Sequence, residues 1–212
     1  TCALPILAPG DMILTPGWTW HEHRHKGSTR CVWVDALDVP MHDFLRNGVF
    51  EPGPAHDVTP LPLDDSFAAP GLAPACAVDT VYSPLFRYPW SSAVKALASV
   101  PFEADGSRRL RYTNPLTGGA TMATLDCDVL EISRDRDTRA TRGNGNEVCV
   151  VVEGEGESMI GDSTIAWSRN DIFSVPRFSW ASHKATGGSA RLFRINDHEM
   201  LRRLDFLRQE TR

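Results

Sequence analysis

Residues 10–23 read GDMILTPGWTWHEH and residues 170–183 read NDIFSVPRFSWASH. At a constant separation of 160 positions, Asp11 meets Asp171, Pro16 meets Pro176, Trp20 meets Trp180 and His23 meets His183. Apolar positions keep step as well: Met12 with Ile172, Ile13 with Phe173, Trp18 with Phe178. The mismatch that matters chemically is His21, which faces Ala181. A frame kept twice with one potential ligand lost predicts a duplicated unit in which one copy works and the other is scaffold.

On an extended strand His21 and His23 fall on one face, with Trp18 and Trp20 on the other. Two imidazoles on one face suit a metal site, one ligating while the other bonds to a substrate or steadies its neighbour. A pair of hydrogen-bonded histidines in a polar barrel mouth fits the same spacing. The register continues downstream: Val32 falls opposite Leu192, Trp33 opposite Phe193 and Asp35 opposite Ile195. An Asp among apolar strand neighbours costs stability unless partnered. Its replacement together with the histidine points to one shared site, or else to an Asp bonded to a local amide.

Outside the repeat, three zones appear. Residues 1–40 read as strand-rich, with a run that starts at position 31, and Cys31 there and Cys149 in the later β zone read as buried apolar fillers. Residues 47–88 are irregular, with six prolines from Pro52 to Pro74, and read as a long surface connector. Ser91 and Ser92 precede AVKALASV, a short helix they are placed to cap. In residues 108–196, strands are expected over 122–132, 147–153, 164–167, 172–175 and 190–195, separated by glycine turns at 143–145, 154–156 and 187–188. Short strands at this spacing predict an antiparallel sandwich or barrel. Residues 197–209 read as a helix capped by Asp197, with Met200, Leu201, Leu204 and Leu207 on one face.

Composition narrows the function. The 212 residues carry a net charge of −5 with no long basic run, which argues against a nucleic-acid backbone as partner. No apolar stretch approaches the ~20 residues of a membrane span. Five cysteines without a CxxC pair make a disulfide framework or thiolate zinc cluster an unfavoured reading and suggest a reducing, cytoplasmic home. Other candidates are weaker: His25 in a charged turn, His42 at a helix start, His56 in the connector and His198 at the last helix start. Arg109 and Arg111 could clamp an anion or brace a loop or interface.

At WTWHEH followed by WVDALDVP, the chain resembles the gentisate 1,2-dioxygenase family, the bicupin ring-cleaving enzymes that include salicylate and 1-hydroxy-2-naphthoate dioxygenases. RYPW (87–90), RLRYTNPLTGG (109–119) and VVEGEGES with IGDSTIAW extend the match in order along nearly the whole chain. The resemblance implies an all-β bicupin of double-stranded β-helix (jelly-roll) barrels with short helices. Residues 1–46 would be the C-terminal part of a first, incomplete cupin. Residues 47–107 would be an irregular connector with a short helix, and residues 108–212 a second, metal-free cupin with a C-terminal helix.

It also implies Fe(II) as cofactor, with dioxygen and a small aromatic acid such as gentisate as substrates. In such enzymes three histidines hold the iron, two from an early HxH and one from the WHxH segment. His21 matches the third ligand, His23 a histidine beside the substrate, and Asp35 an active-site acid. The substrate carboxylate and adjacent hydroxyl chelate the metal, and the ring opens between the carbons that bear them. Family members are often homotetramers, so a homo-oligomer is expected.

The early HxH and the carboxylate-binding arginines have no counterpart in these 212 residues, so the chain reads as truncated and inactive alone. The rival reading is a non-catalytic cupin used for binding or assembly. A sugar isomerase or epimerase cupin is argued against by WTWHEH with WVDALD.

Overall fold

Among the described residues, fifteen short elements follow one another in an order that puts most of the regular structure after residue 86. The computed structural model describes residues 7–17, 25, 27–53, 67, 72–75 and 81–212. Strand β1 (Met12–Ile13) is followed by helix α1 (Val39–Leu45), strand β2 (Arg87–Tyr88) and helix α2 (Trp90–Leu97). Then come β3 (Ser107–Arg111), β4 (Asp126–Ile132), β5 (Thr141–Gly143), β6 (Glu147–Glu153), β7 (Glu155–Ile160) and β8 (Ser163–Ser168). The chain ends with β9 (Ile172–Val175), β10 (Ala181–Ala185), β11 (Ala190–Asn196), helix α3 (His198–Arg203) and β12 (Gln209–Thr211).

Two five-stranded antiparallel sheets form the second unit, in the orders β3-β4-β11-β6-β9 and β12-β5-β10-β7-β8. The expected all-β class is borne out. Period-2 alternation sorts the first sheet into two apolar faces. One face carries Leu130, Ile132, Cys149, Val151 and Leu192 into the space between the sheets, where Trp167, Phe173, Ala181 and Ala185 meet them. The other carries Cys127, Val129, Phe193 and Ile195 outward against Met12, Leu14, Trp90, Ala93, Leu97 and Tyr112. The sheet is therefore a middle layer, and β4 is buried along its whole length. Among the described residues, no helix is long and apolar enough to cross a membrane.

The N-terminal segment is bolted to this layer by Asp11, whose side chain is almost fully buried. Its carboxylate accepts from Arg87 Nε at 2.9 Å and from the Trp90 backbone N–H at 2.8 Å. Arg87 and Trp90, the ends of RYPW, thus meet one acid. The expected serine cap of α2 is absent: Pro89 is the N-cap residue with no side-chain cap bond, and Asp11 satisfies the first N–H from a distant part of the chain. Trp90 Nε1 also donates to Glu153 Oε1 at 2.8 Å, tying the helix to β6.

Several expectations fail for local physical reasons. Residues 31–38 form no strand, and Cys31, Val32, Trp33 and Val34 are exposed. No strand among the described residues lies alongside to complete a ladder. His42 lies in the last turn of α1 rather than at its start, with Nδ1 at 2.9 Å from Asn47 Oδ1. The final helix stops at Arg203; Asp205 takes a positive φ of 58° and the chain ends as a strand. Asp197 makes no cap bond within it, because its carboxylate accepts from Asn146 N and Nδ2, both at 2.9 Å. Residues 155–160 form strand β7: Gly154, at φ +85°, makes the turn, while Gly156 is a strand residue with Trp167 and the Lys184 carbonyl where a side chain would sit.

Candidate functional site

Of the three site residues expected from sequence, His21 and His23 lie outside the described residues. Asp35 is described. It is exposed, in a stretch without regular structure, and the apolar strand expected around it is not formed. His25 is exposed in its turn, with Nε2 bonded to the Thr29 carbonyl. His56 lies outside the described residues, and His198 does begin α3. Arg111 is a brace, donating to Asp126 Oδ1 at 2.9 Å and to Glu199 Oε2 at 3.1 Å, whereas Arg109 is exposed.

The densest polar grouping lies inside the second unit. Alternation on β10 turns Ala181, His183 and Ala185 inward. On β6 it aligns Glu147, Cys149 and Val151, and on β11 Ala190, Leu192, Arg194 and Asn196. Strand pairing fixes the heights: Arg194 stands opposite Asp128 on one side and Cys149 on the other. The interior is thus apolar toward Ile132 and Leu192 and polar toward Asp128, Glu147 and Arg194.

Arg194 grips Asp128 with two parallel hydrogen bonds, Nε to Oδ1 at 2.7 Å and an Nη to Oδ2 at 2.9 Å. Its Nη1 lies 3.4 Å from Glu147 Oε2. Burial works against the Arg194 charge, but the Asp128 and Glu147 carboxylates outweigh it and hold the guanidinium more firmly protonated than usual. Cys149 Sγ stands 3.7 Å from Glu147 Oε1, and burial followed by that carboxylate pushes the thiol well above its ordinary range. Burial, then Arg194, pushes His183 down to about 3, so its ring is neutral at physiological pH. Ser158 Oγ accepts from Trp167 Nε1 at 2.8 Å and lies 2.7 Å from His183 Nδ1, which fixes the ring plane.

One ligand atom each from Glu147, Cys149 and His183 lies within 4.8 Å of the others, the one group of three or more such donors among the described residues. Among the described residues no comparable group surrounds Asp35. The described residues therefore do not assemble a three-histidine iron centre. Sequence reading missed this cluster except for His183, taken as a structural partner of His23, and Cys149, taken as buried filler. The available signal was charge in apolar strands: Asp128 within DCDVLEI and Arg194 within RLFRIN.

Comparison with known proteins adds relatives. No family model matches the chain. A 5-aminosalicylate 1,2-dioxygenase from Comamonas sp is 34% identical over 208 residues, covering 95% of this chain and 56% of the relative. Gentisate 1,2 dioxygenase 1 of Aquipseudomonas alcaligenes is 30% identical over 210 residues, covering 94% of this chain and 60% of the relative. Among solved structures, a mutant of the salicylate 1,2-dioxygenase from Pseudoaminobacter salicylatoxidans in complex with gentisate superposes with a TM-score of 0.88 at 29% identity. That match covers 97% of this chain and 60% of the other. The chain thus spans little more than half the length of the relatives it matches.

Proposed function

This chain belongs to the gentisate 1,2-dioxygenase family, whose members' C-terminal portion it matches, and from that premise we propose that it serves a ring-cleaving dioxygenase acting on gentisate or a related 2-hydroxybenzoate. The observation that carries the reading is the match in order along about 95% of the chain to enzymes named for such substrates. The metal in this reading is Fe(II), which supplies oxygen activation and substrate chelation when bound. His21 is its ligand from this chain, His23 stands beside the substrate and Asp35 is the acid. The setting is the cytoplasm and the working form a homo-oligomer.

The 212 residues on their own are, in this reading, inactive. One family ligand cannot hold Fe(II) firmly, and the described part of the chain offers no substitute near Asp35. Their contribution is instead the two-sheet second unit, with β1 held against it by Asp11, Arg87 and Trp90.

The test is oxygen uptake with gentisate and salicylate, first on the 212-residue chain with added Fe(II). Near-zero uptake is expected. Joining the chain to the N-terminal part of a homologous dioxygenase is expected to restore turnover, and His21→Ala in that protein to abolish it. Stoichiometric iron with turnover in the isolated chain, or full activity after His21→Ala, would overturn the assignment. Metal-independent binding of an aromatic acid by the isolated chain would favour the non-catalytic cupin instead.

A further inference from the structure

We propose that the second unit contains a metal site of its own, in which Glu147, Cys149 and His183 bind one divalent transition-metal ion of the zinc class. The sequence expectation of a metal-free barrel rested on the lack of histidine ligands, Ala181 above all. The structure gathers donors of three other kinds from β6 and β10, on facing sheets.

Four observations support the site. Distances come first: a tetrahedral ion with a sulfur at about 2.3 Å and an oxygen at about 2.0 Å holds those two atoms about 3.5 Å apart. Cys149 Sγ and Glu147 Oε1 are 3.7 Å apart before any ion enters. The donor chemistry follows, since thiolate, imidazole and carboxylate together favour a borderline ion over calcium or magnesium.

The third observation is orientation. His183 Nδ1 is engaged by Ser158, itself held by Trp167, while Nε2 makes no hydrogen bond among the described residues. In the tautomer whose Nδ1–H donates to Ser158 Oγ, the Nε2 lone pair is available to an ion. A hydrogen bond at the other ring nitrogen that fixes the plane of the ring is what metal-binding histidines use.

Charge is the fourth. Asp128 and Glu147 bring two negative charges and Arg194 one positive, and Arg194 spends both hydrogen bonds on Asp128. The cluster is left one charge negative in a buried setting. A divalent cation that displaces the Cys149 thiol proton to solvent balances it: two plus one positive against three negative. The rival is a closed network in which the thiol donates weakly to Glu147 and nothing binds.

Cobalt(II) added to the 212-residue chain separates the two, because thiolate ligation gives an intense near-ultraviolet charge-transfer band. One cobalt per chain with that band is expected. Cys149→Ser should remove the band while circular dichroism stays unchanged, and His183→Gln should weaken binding at least tenfold. Cys31→Ser, which changes an exposed thiol, and His21→Ala should leave both band and affinity as they were. Should Cys149→Ser fail to fold, cobalt-edge absorption of the unaltered chain decides by the presence of one sulfur with one imidazole, and His183→Gln by the affinity. No thiolate band, a band that survives Cys149→Ser, or one lost with Cys31→Ser overturns the proposal. The dioxygenase reading stands or falls separately, since it rests on His21 and on turnover.

Discussion

The two copies of the repeat share a turn but bury opposite faces. Asp11 Oδ2 accepts from Ala8 N at 3.0 Å, and Asp171 Oδ2 accepts from Ser168 N at 2.8 Å, positions related by the repeat. Gly10 has φ +89° and its counterpart Asn170 φ +75°. After the same turn, the strands diverge. In the second copy Phe173 points into the core between the sheets, while Ile172 and Ser174 are exposed. In the first copy Met12 and Leu14, the equivalents of those exposed residues, are buried against the outer face of the second unit. β9 pairs with β6, whereas β1 pairs with β2, a piece of the connector. One repeat thus specifies local conformation, and its neighbours decide which face becomes core.

The largest expected effect tests how differently the copies treat charge. Arg194 is buried among Asp128 and Glu147, and replacing it with Met strands two carboxylates. Removing one partner of a buried pair costs about 3–5 kcal/mol. Arg194→Met is therefore expected to lower the urea midpoint severely or prevent folding. Asp35→Asn, at the register position of Ile195, changes an exposed residue and should shift stability by no more than about 0.5 kcal/mol. A large loss at Asp35 and none at Arg194 would invert the comparison.

This contrast also explains what was legible in the sequence. The strands over 147–153 and 172–175 agree with β6 and β9, because apolar runs between glycine turns coincide there with strands that have partners on both sides or a covered face. The same pattern at 31–35 misleads: Val32, Trp33 and Val34 have the right residue types, but a strand is completed by a paired strand, and none is paired with them among the described residues. β3 was missed because SRRLR looks solvated, yet Arg108 is anchored by Glu131 at 2.6 Å and Arg111 by Asp126. β10 was missed because ASHKA is polar in name, though its small and hydrogen-bonded side chains face inward. The candidate site was half legible. The repeat singled out His183, but the pairing of Asp128 with Arg194 depends on strand register, which no local pattern records.

A smaller effect distinguishes the two aspartates. Asp171 is exposed, and among the described residues its carboxylate accepts only within its own turn, from Ser168 N and Oγ. Asp11 makes the same turn but also holds Arg87 and Trp90, so it joins two distant stretches of chain. Hydrogen bonds to charged groups contribute about 1.5–3 kcal/mol. Asp11→Asn is expected to cost about that much and to speed proteolysis within residues 7–17 and amide exchange at the start of α2. Asp171→Asn should cost less and leave α2 protected. Equal losses would show that Asp11 serves only its turn.

The smallest effect is acid sensitivity at the far edge of the second unit. Glu199 accepts from Arg203 Nε at 2.9 Å and Arg111 at 3.1 Å, and pairs with Arg202. Burial alone would raise its carboxyl, but the Arg203 hydrogen bond and the charges of Arg202, Arg203 and Arg111 outweigh it and hold the group below its ordinary 4.5. A carboxyl more acidic when folded stabilises fully above its unfolded value, and that contribution is lost as pH falls through the folded one. Thermal midpoints followed from about pH 6 to about pH 3 should therefore fall more for the unaltered chain than for Glu199→Gln, which is already weakened at neutral pH but has no such proton to gain. The loss should be confined to α3 and the end of β3 that carries Arg111, with protection of β1 and α2 unchanged. Parallel curves for the two proteins would mean the three arginines hold α3 by their packing alone, not through the Glu199 charge.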